Sequence, residues 1–332
     1  MRLEAGILYQ LRNVESVIQL EGLYEGPRHS VLMTDFLGGG DLVERVSRPD
    51  FILNEAKCKK YVRQICSGLE YIHRNNIIHL DIKPFSVVFV DANDDSELKI
   101  ADFNVAKRLE IDMEGTTLPS NIECMSGTVE FMSPEMIECT SATTKTGESQ
   151  ILMAFLDLAR ILMSHRLSKL IIPDIDFLDC WGLGIIAYML ITGGQSPFYG
   201  GSRFRTIARI LTCQYHLGFC GLKHISHDAK HFIRDLLQQH PDKRMSAEAC
   251  LRHSWLTREP TNIDTLYTLE TRWMKQLLAR RRWHRWFNAV RAAQRIRKFS
   301  AASSATRGAT RMTKTTSMTT IMPNIENNNR KV

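Results

Sequence analysis

The residues best suited to chemistry lie close together: His79-Leu80-Asp81, then Lys83 two positions on, then Asp102-Phe103. An Asp ending a short strand can take the proton of an attacking hydroxyl. A Lys two residues further can neutralise a phosphate, and a second Asp can hold magnesium between phosphates. Asp81 and Lys83 are therefore the catalytic candidates and Asp102 the metal ligand. A lone His-x-Asp in a loop carries little information, so the surrounding elements must support the reading.

Those elements read as follows. Residues 2–12 form a helix with Leu3, Ile7, Leu8 and Leu11 on one face. Val17–Leu23 and Ser30–Thr34 form two strands around a Gly26-Pro27 turn. The clearest helix is capped by Asn54, carries Cys58, Val62, Ile65, Leu69 and Ile72 at three- and four-residue spacing, and stops at Asn75-Asn76. Strand Ile77–His79 delivers the candidate loop, and strands Val87–Val90 and Leu98–Ala101 flank an Asp/Asn turn at Asp91–Ser96. An apolar helix over Asp179–Leu190 is the natural core element, and helices follow at Arg203–Leu211, His227–Gln239 and Ser246–His253.

The ordered series resembles the protein kinases, specifically the calmodulin-regulated Ser/Thr group containing the myosin light-chain kinases and the titin/obscurin giant muscle kinases. It includes His79/Asp81/Lys83, Asp102-Phe103, Gly127-Thr-Val-Glu-Phe131, Ser133-Pro134-Glu135, Asp179/Trp181 and Arg244. The resemblance implies an α+β fold: a mostly helical large lobe with a remnant of the small β lobe. It divides the chain into a truncated small lobe (1–37), a large lobe (38–256) interrupted by an insert (147–178), a regulatory segment (257–298) and a disordered Ser/Thr-rich tail (299–332). ATP and Mg2+ are the implied cofactors, and Asp35, Leu37 and Asp41 are the cofactor-binding candidates around the hinge. Asp41 also stands where an acid meets the basic residues of a substrate, or it simply caps a helix. Glu4 takes the place of the Glu that pairs with a Lys of the small lobe. That Lys, its strand and the glycine-rich phosphate flap do not precede it here. Glu135 and Arg244 are expected to form a buried pair, Asp179 to orient the loop, and His79 and Phe103 to support it.

Three departures bear on activity. Ser86 replaces an Asn that holds magnesium, Asn104 replaces the glycine after Asp-Phe, and Gly147–Leu178 interrupts a continuous stretch. The insert fits a retained intron. Gly147-Glu-Ser149 can be encoded around GTGAGT, and splicing into the Asp179 codon would join Thr146 directly to Asp-Cys-Trp-Gly. Transcripts in which the segment persists in the dominant mature message would overturn that.

Charge is unevenly placed. Thr271–Val332 holds 15 Lys+Arg and one acid, a net +14 in a chain of net +7, so residues 1–270 carry −7. An acidic body with a cationic tail suits a tail that folds back, or an acidic partner. Within it, Met274–Ile296 is dense in Arg with large apolar residues between. It closely resembles the calmodulin-binding segment of myosin light-chain kinases. Trp283, Phe287, Val290 and Ile296, at relative positions 1, 5, 8 and 14, are expected along one side of a helix for calmodulin's hydrophobic pockets. Membrane-surface and nucleic-acid readings compete with this one and are set aside. The run Ile151–Met163 is broken by Asp157 and Arg160 and is too short to span a bilayer. Eight cysteines without a Cys-x-x-Cys pair suit a reduced, cytoplasmic setting, sarcomeric or cytoskeletal by the resemblance. Ser300, three residues after Arg297, is a candidate phosphorylation site that would weaken calmodulin binding.

Two functions follow. One is a myosin light-chain kinase-like enzyme transferring phosphate from ATP-Mg to a Ser or Thr of a muscle-type protein, crippled in this truncated form. The other is a calmodulin-binding pseudokinase or scaffold.

Overall fold

The computed structural model describes residues 1–109, 129–137, 177–218, 222–306 and 319–320, with side chains described only as far as 293. Most of the insert, the segment after Leu109 and Gly127-Thr128 lie outside these residues.

Helix α1 (Arg2–Gln10) and strands β1 (Leu20–Glu25) and β2 (Ser30–Thr34) make the small lobe. The strands pair antiparallel with Leu23 opposite Leu32, and the backbone of Thr319–Thr320 lies against the other edge of β1. Ile7, Leu8 and Leu11 are buried as the periodicity requires, whereas Leu3 is 54% exposed. The first strand starts three residues later than Val17. Val17 bridges Ile100 and the Ile18 N–H donates to the Ile100 carbonyl, so that stretch belongs to the large-lobe ribbon.

In the large lobe, α2 (Leu42–Val46) follows the hinge, and α3 (Glu55–Arg74) begins where the Asn54 side chain accepts the Lys57 N–H at 2.9 Å. Strand β3 (Ile77–Ile78) leads into the candidate loop, and β4 (Val87–Phe89) pairs with β5 (Leu98–Ile100). A short β6 (Lys107–Arg108) pairs with β3. Helix α4 (Phe177–Ile191) is buried from Leu178 to Ile191, as expected of a helix apolar on every side. Its Gly182 lets the candidate loop sit directly on it, because a Cβ there would come within 2.5 Å of the Ile82 carbonyl oxygen.

Helices α5 (Arg203–Leu211), α6 (His227–Leu236), α7 (Ala247–Arg252), α8 (Ser254–Thr257) and α9 (Asn262–Leu266) complete the lobe. The first three carry Ser caps, from Ser202, Ser226 and Ser246. One long helix, α10 (Arg272–Thr306), follows and runs past residue 298 through Ser300. No helix among the described residues is long and apolar enough to cross a membrane.

Candidate active site

The site is assembled from the core outward. Asp179, on α4 and 1% exposed, accepts the backbone N–H groups of His79 and Leu80, each at 2.8 Å, and its Oδ2 lies 2.9 Å from His73 Nε2. Burial by itself would raise the Asp179 carboxyl. His73 and the His79 backbone outweigh it, holding the group below its ordinary range. This clamp lets Leu80 keep a left-handed backbone (φ 66°), a conformation that costs a side-chain-bearing residue free energy.

His79 is wholly buried. The Asp81 N–H donates to its Nδ1 at 3.2 Å, so the ring proton is on Nε2, which faces the Ala101 carbonyl oxygen at 3.0 Å. The ring also packs edge-on against Phe103, with centroids 4.8 Å apart. His79 thereby ties the Asp81 loop to the Asp102 turn. Asp102 itself has φ 71°.

Lys83 Nζ joins the two carboxylates: it is bonded to Asp81 Oδ2 and lies 3.7 Å from Asp102 Oδ2. Asp102 is the accessible member, with its side chain 41% exposed against 19% for Asp81. Ser86 is fully buried. Its hydroxyl accepts the Lys83 N–H at 3.1 Å and faces the Lys83 and Asp81 carbonyl oxygens at 2.9 and 3.2 Å, so it braces the turn between the catalytic candidates. Glu4 is half-buried with a raised carboxyl pKa, chiefly from burial and further from the charge of Asp102.

At the hinge, Asp35 is committed to structure: it pairs with Lys99 at 2.6 Å and accepts the Gln19 N–H at 2.9 Å. Leu37 is half-buried beside a fully displayed Phe36, 91% exposed. Glu135 and Arg244 form the expected buried pair at 2.7 Å. Arg244 also donates to the Phe177 and Gln238 carbonyls and lies over the Trp181 ring.

A protein kinase domain model matches residues 1–148 and 176–256. The chain belongs to the protein kinase family. It is 31% identical over 287 residues to smooth-muscle myosin light chain kinase of Gallus gallus, covering 86% of this chain and 13% of that one. It is 30% identical over 302 residues to myosin light chain kinase 2, skeletal/cardiac muscle, of Mus musculus, covering 90% and 42%. The chain thus spans less than half the length of these relatives. Among solved structures, the twitchin kinase region from C. elegans aligns with TM-score 0.62 at 24% identity, covering 83% of this chain and 41% of that one. The autoinhibited serine kinase domain of the giant muscle protein titin aligns with TM-score 0.62 at 23% identity, covering 83% and 72%. Both show the same fold. A protein kinase domain implies ATP and magnesium in general.

Helix α10 lies on the kinase domain. Met274 (0% exposed) and Leu278 (8%) enter the large-lobe core, and the Met274 N–H donates to the Gly193 carbonyl at 2.9 Å. Further along, Arg281 pairs with Asp41 and Arg285 lies 4.0 Å from Glu44. At about 100° per residue these four positions share one stripe. Trp283, Phe287 and Val290 fall roughly opposite and are 66%, 49% and 36% exposed, with Trp286 at 69%. Ile296 lies beyond the last described side chain, so its place toward a partner is outside the described residues. Of its sequence readings, Asp41 shows the helix cap: it caps α2 in a capping box with Glu44 while its other oxygen meets Arg281.

Sequence reasoning missed two site residues. His73 precedes the loop at a helix end, and its only signal was a His in the last turn of a strongly periodic helix. Phe85 lies under Arg281, whose guanidinium carbon is 4.4 Å from the ring centroid.

Away from the cleft, His231, Asp235 and His253 bring potential ligand atoms within 4.8 Å of one another. The Trp255 N–H donates to His253 Nδ1 at 3.0 Å, so a neutral His253 carries its proton on Nε2, the nitrogen facing Asp235. Metal-ligating histidines donate from the distal nitrogen instead. That tautomer does not suit a metal ligand.

Proposed function

We propose that this chain is a Ca2+/calmodulin-regulated serine/threonine protein kinase domain of the myosin light-chain kinase type, held in check by its own helix α10. The observation that carries the reading is the Asp81–Lys83–Asp102 constellation with α10 pinned beside it by Arg281 on Asp41. In phosphoryl transfer Asp81 orients a substrate Ser or Thr hydroxyl and receives its proton, while Lys83 stabilises the charge on the transferred group. Asp102 would hold magnesium, which would supply positive charge against the phosphates of ATP. The exposed Asp102 carboxylate fits it, and magnesium tolerates one or two carboxylates with phosphates and waters completing its shell. Ser86 has at most one lone pair left for such a role, because its hydroxyl is spent on the loop.

The exposed Trp283/Phe287/Val290 face supports calmodulin as the regulator. An apolar stripe rimmed by arginines in a helix is what calmodulin's Met-rich groove and acidic rim recognise. Because this face points away from the lobe, calmodulin can begin to engage while Arg281 is still docked. The relatives support a muscle-type protein substrate and a cytoplasmic, sarcomeric setting. The break in the family match over 149–175 supports reading 147–178 as an insertion.

The competing reading, a calmodulin-binding scaffold without phosphotransfer, is favoured by the commitment of Ser86. One experiment separates them. With Ca2+/calmodulin present, ATP-Mg raises the melting temperature and phosphate passes to a Ser peptide, and Asp81→Asn abolishes the transfer. Calmodulin binding without any ATP-Mg shift gives the scaffold. Absence of Ca2+-dependent binding, or its indifference to Trp283→Ala, refutes calmodulin control.

A further inference from the structure

Strand β1 has one edge taken by β2. Against its other edge runs the backbone of Thr319–Thr320, antiparallel, with Thr319 opposite Glu25 and Thr320 opposite Tyr24. An edge strand carries a row of outward N–H and C=O groups with which an extended segment can pair. Two features of the sequence suit this segment to that edge. Residues 315–321 read Thr-Thr-Ser-Met-Thr-Thr-Ile, rich in β-branched residues that favour a strand, and Pro323 follows to end it. Charge is complementary as well. Residues 307–320 hold Arg307, Arg311 and Lys314 and no acid, whereas residues 13–27 hold Glu15, Glu21 and Glu25 and no base. The contact is within reach of a single molecule. From Arg281, bonded to Asp41 beside the hinge, α10 carries the chain to Thr306, about 38 Å away. From Thr306 to Thr319 the backbone can extend up to about 45 Å, enough to come back to β1.

We propose that the outer edge of β1 is a docking surface for the C-terminal segment of this same chain, which adds a strand to the small lobe through Thr319–Thr320. The chain after residue 271 then holds both lobes. Its Met274 N–H donates to the Gly193 carbonyl in the large lobe, and Thr319–Thr320 pairs with β1 in the small one. Helix α10 is thereby tethered at both ends. The dock goes beyond the reading of α10 as a regulatory helix, and it stands whether or not calmodulin is the partner of that helix.

The test uses the full chain and follows amide hydrogen exchange across 20–25. Neighbouring pairs in an antiparallel ladder alternate, so one of Thr319 and Thr320 exchanges hydrogen bonds with β1. Replacing both by Pro removes the donor at either place and lies too far along the tail to unfold the lobes. Thr319→Pro/Thr320→Pro should speed exchange across 20–25 roughly fivefold, the worth of about one backbone hydrogen bond. Thr319→Glu, which sets an acid opposite Glu25, should speed it more than Thr319→Lys does. Wild-type exchange in the double proline variant would overturn the dock, whatever exchange across 276–290 shows of α10. Faster exchange in Thr319→Lys than in Thr319→Glu would overturn it in this register. Exchange across 20–25 that speeds up when the wild-type chain is diluted tenfold would show that the strand comes from a second copy, which overturns an intrachain dock.

Discussion

Asp179→Asn tests whether the catalytic loop is held from below by a single carboxylate. The carboxylate accepts three donors: His79 N–H and Leu80 N–H at 2.8 Å each, with His73 Nε2 at 2.9 Å. An amide of the same shape offers one oxygen. If that oxygen stays with His79 and His73, the new NH2 group faces the Leu80 N–H and two buried donors oppose each other. A hydrogen bond to a charged group is worth about 1.5–3 kcal/mol, and a stranded buried donor costs about 1–3. Two effects relax the loss. The amide has no charge to desolvate, and Leu80 can leave its left-handed conformation, returning roughly 1–2 kcal/mol. The net expectation is a loss of about 2 kcal/mol, a drop of roughly 4–8 °C in Tm for a domain of this size.

Urea melts of the full chain measure the loss, and amide exchange at Leu80 and Asp81 measures the release. The pH dependence supplies a second readout. The Asp179 carboxyl is held below its ordinary range, so its contribution is present above the unfolded pKa and fades as pH falls through the folded one. The variant lacks that acid-side decline. Stability unchanged within about 0.5 kcal/mol, together with unchanged Leu80 exchange, would show that the loop is held by something else.

Other outcomes follow from single contacts. Arg244→Ala leaves Glu135 buried without its partner and removes donors from the Phe177 and Gln238 carbonyls. It should cost about 3–5 kcal/mol by chemical denaturation, with Arg244→Lys in between. Gly194→Ala places a Cβ 2.3 Å from the Met274 nitrogen at φ 103°, so the root of α10 should lift and protease should cut between Glu270 and Lys275 faster than in wild type. Burial lowers His253 below its ordinary 6.5, opposed by Asp235 and Asp228 and reinforced by His231. The unfolded chain then binds more protons, so stability should fall as pH drops below about 6.5. His253→Asn, which can still accept the Trp255 N–H, should flatten that fall in Tm between about pH 7 and 5.5.

What the sequence disclosed depended on whether the partner was local. Helix α3 declared itself because its cap, its apolar spacing and its Asn75-Asn76 stop all lie within one stretch. Helix α4 declared itself by being apolar all round. Glu135–Arg244 and the Asp179 clamp were accessible only through the resemblance, since nothing in the spacing of residues 109 or 100 apart says that they touch. Ser86 shows the limit of substituting one ligand type for another. A hydroxyl two bonds from Cα finds carbonyls of its own turn before it can reach outward, so a position read for metal also braces the loop.

Helix α10 shows a deeper ambiguity. Periodicity identifies two faces but cannot say which is covered, and the usual rule would bury the tryptophans. Here Met274 and Leu278 root the helix, and the next positions on their stripe are arginines facing an acidic lobe. Ion pairing therefore fixes the orientation and turns Trp283 and Phe287 outward. The aromatic face is exposed because the charged face has already been satisfied, which leaves it available to a partner while the lobe remains docked.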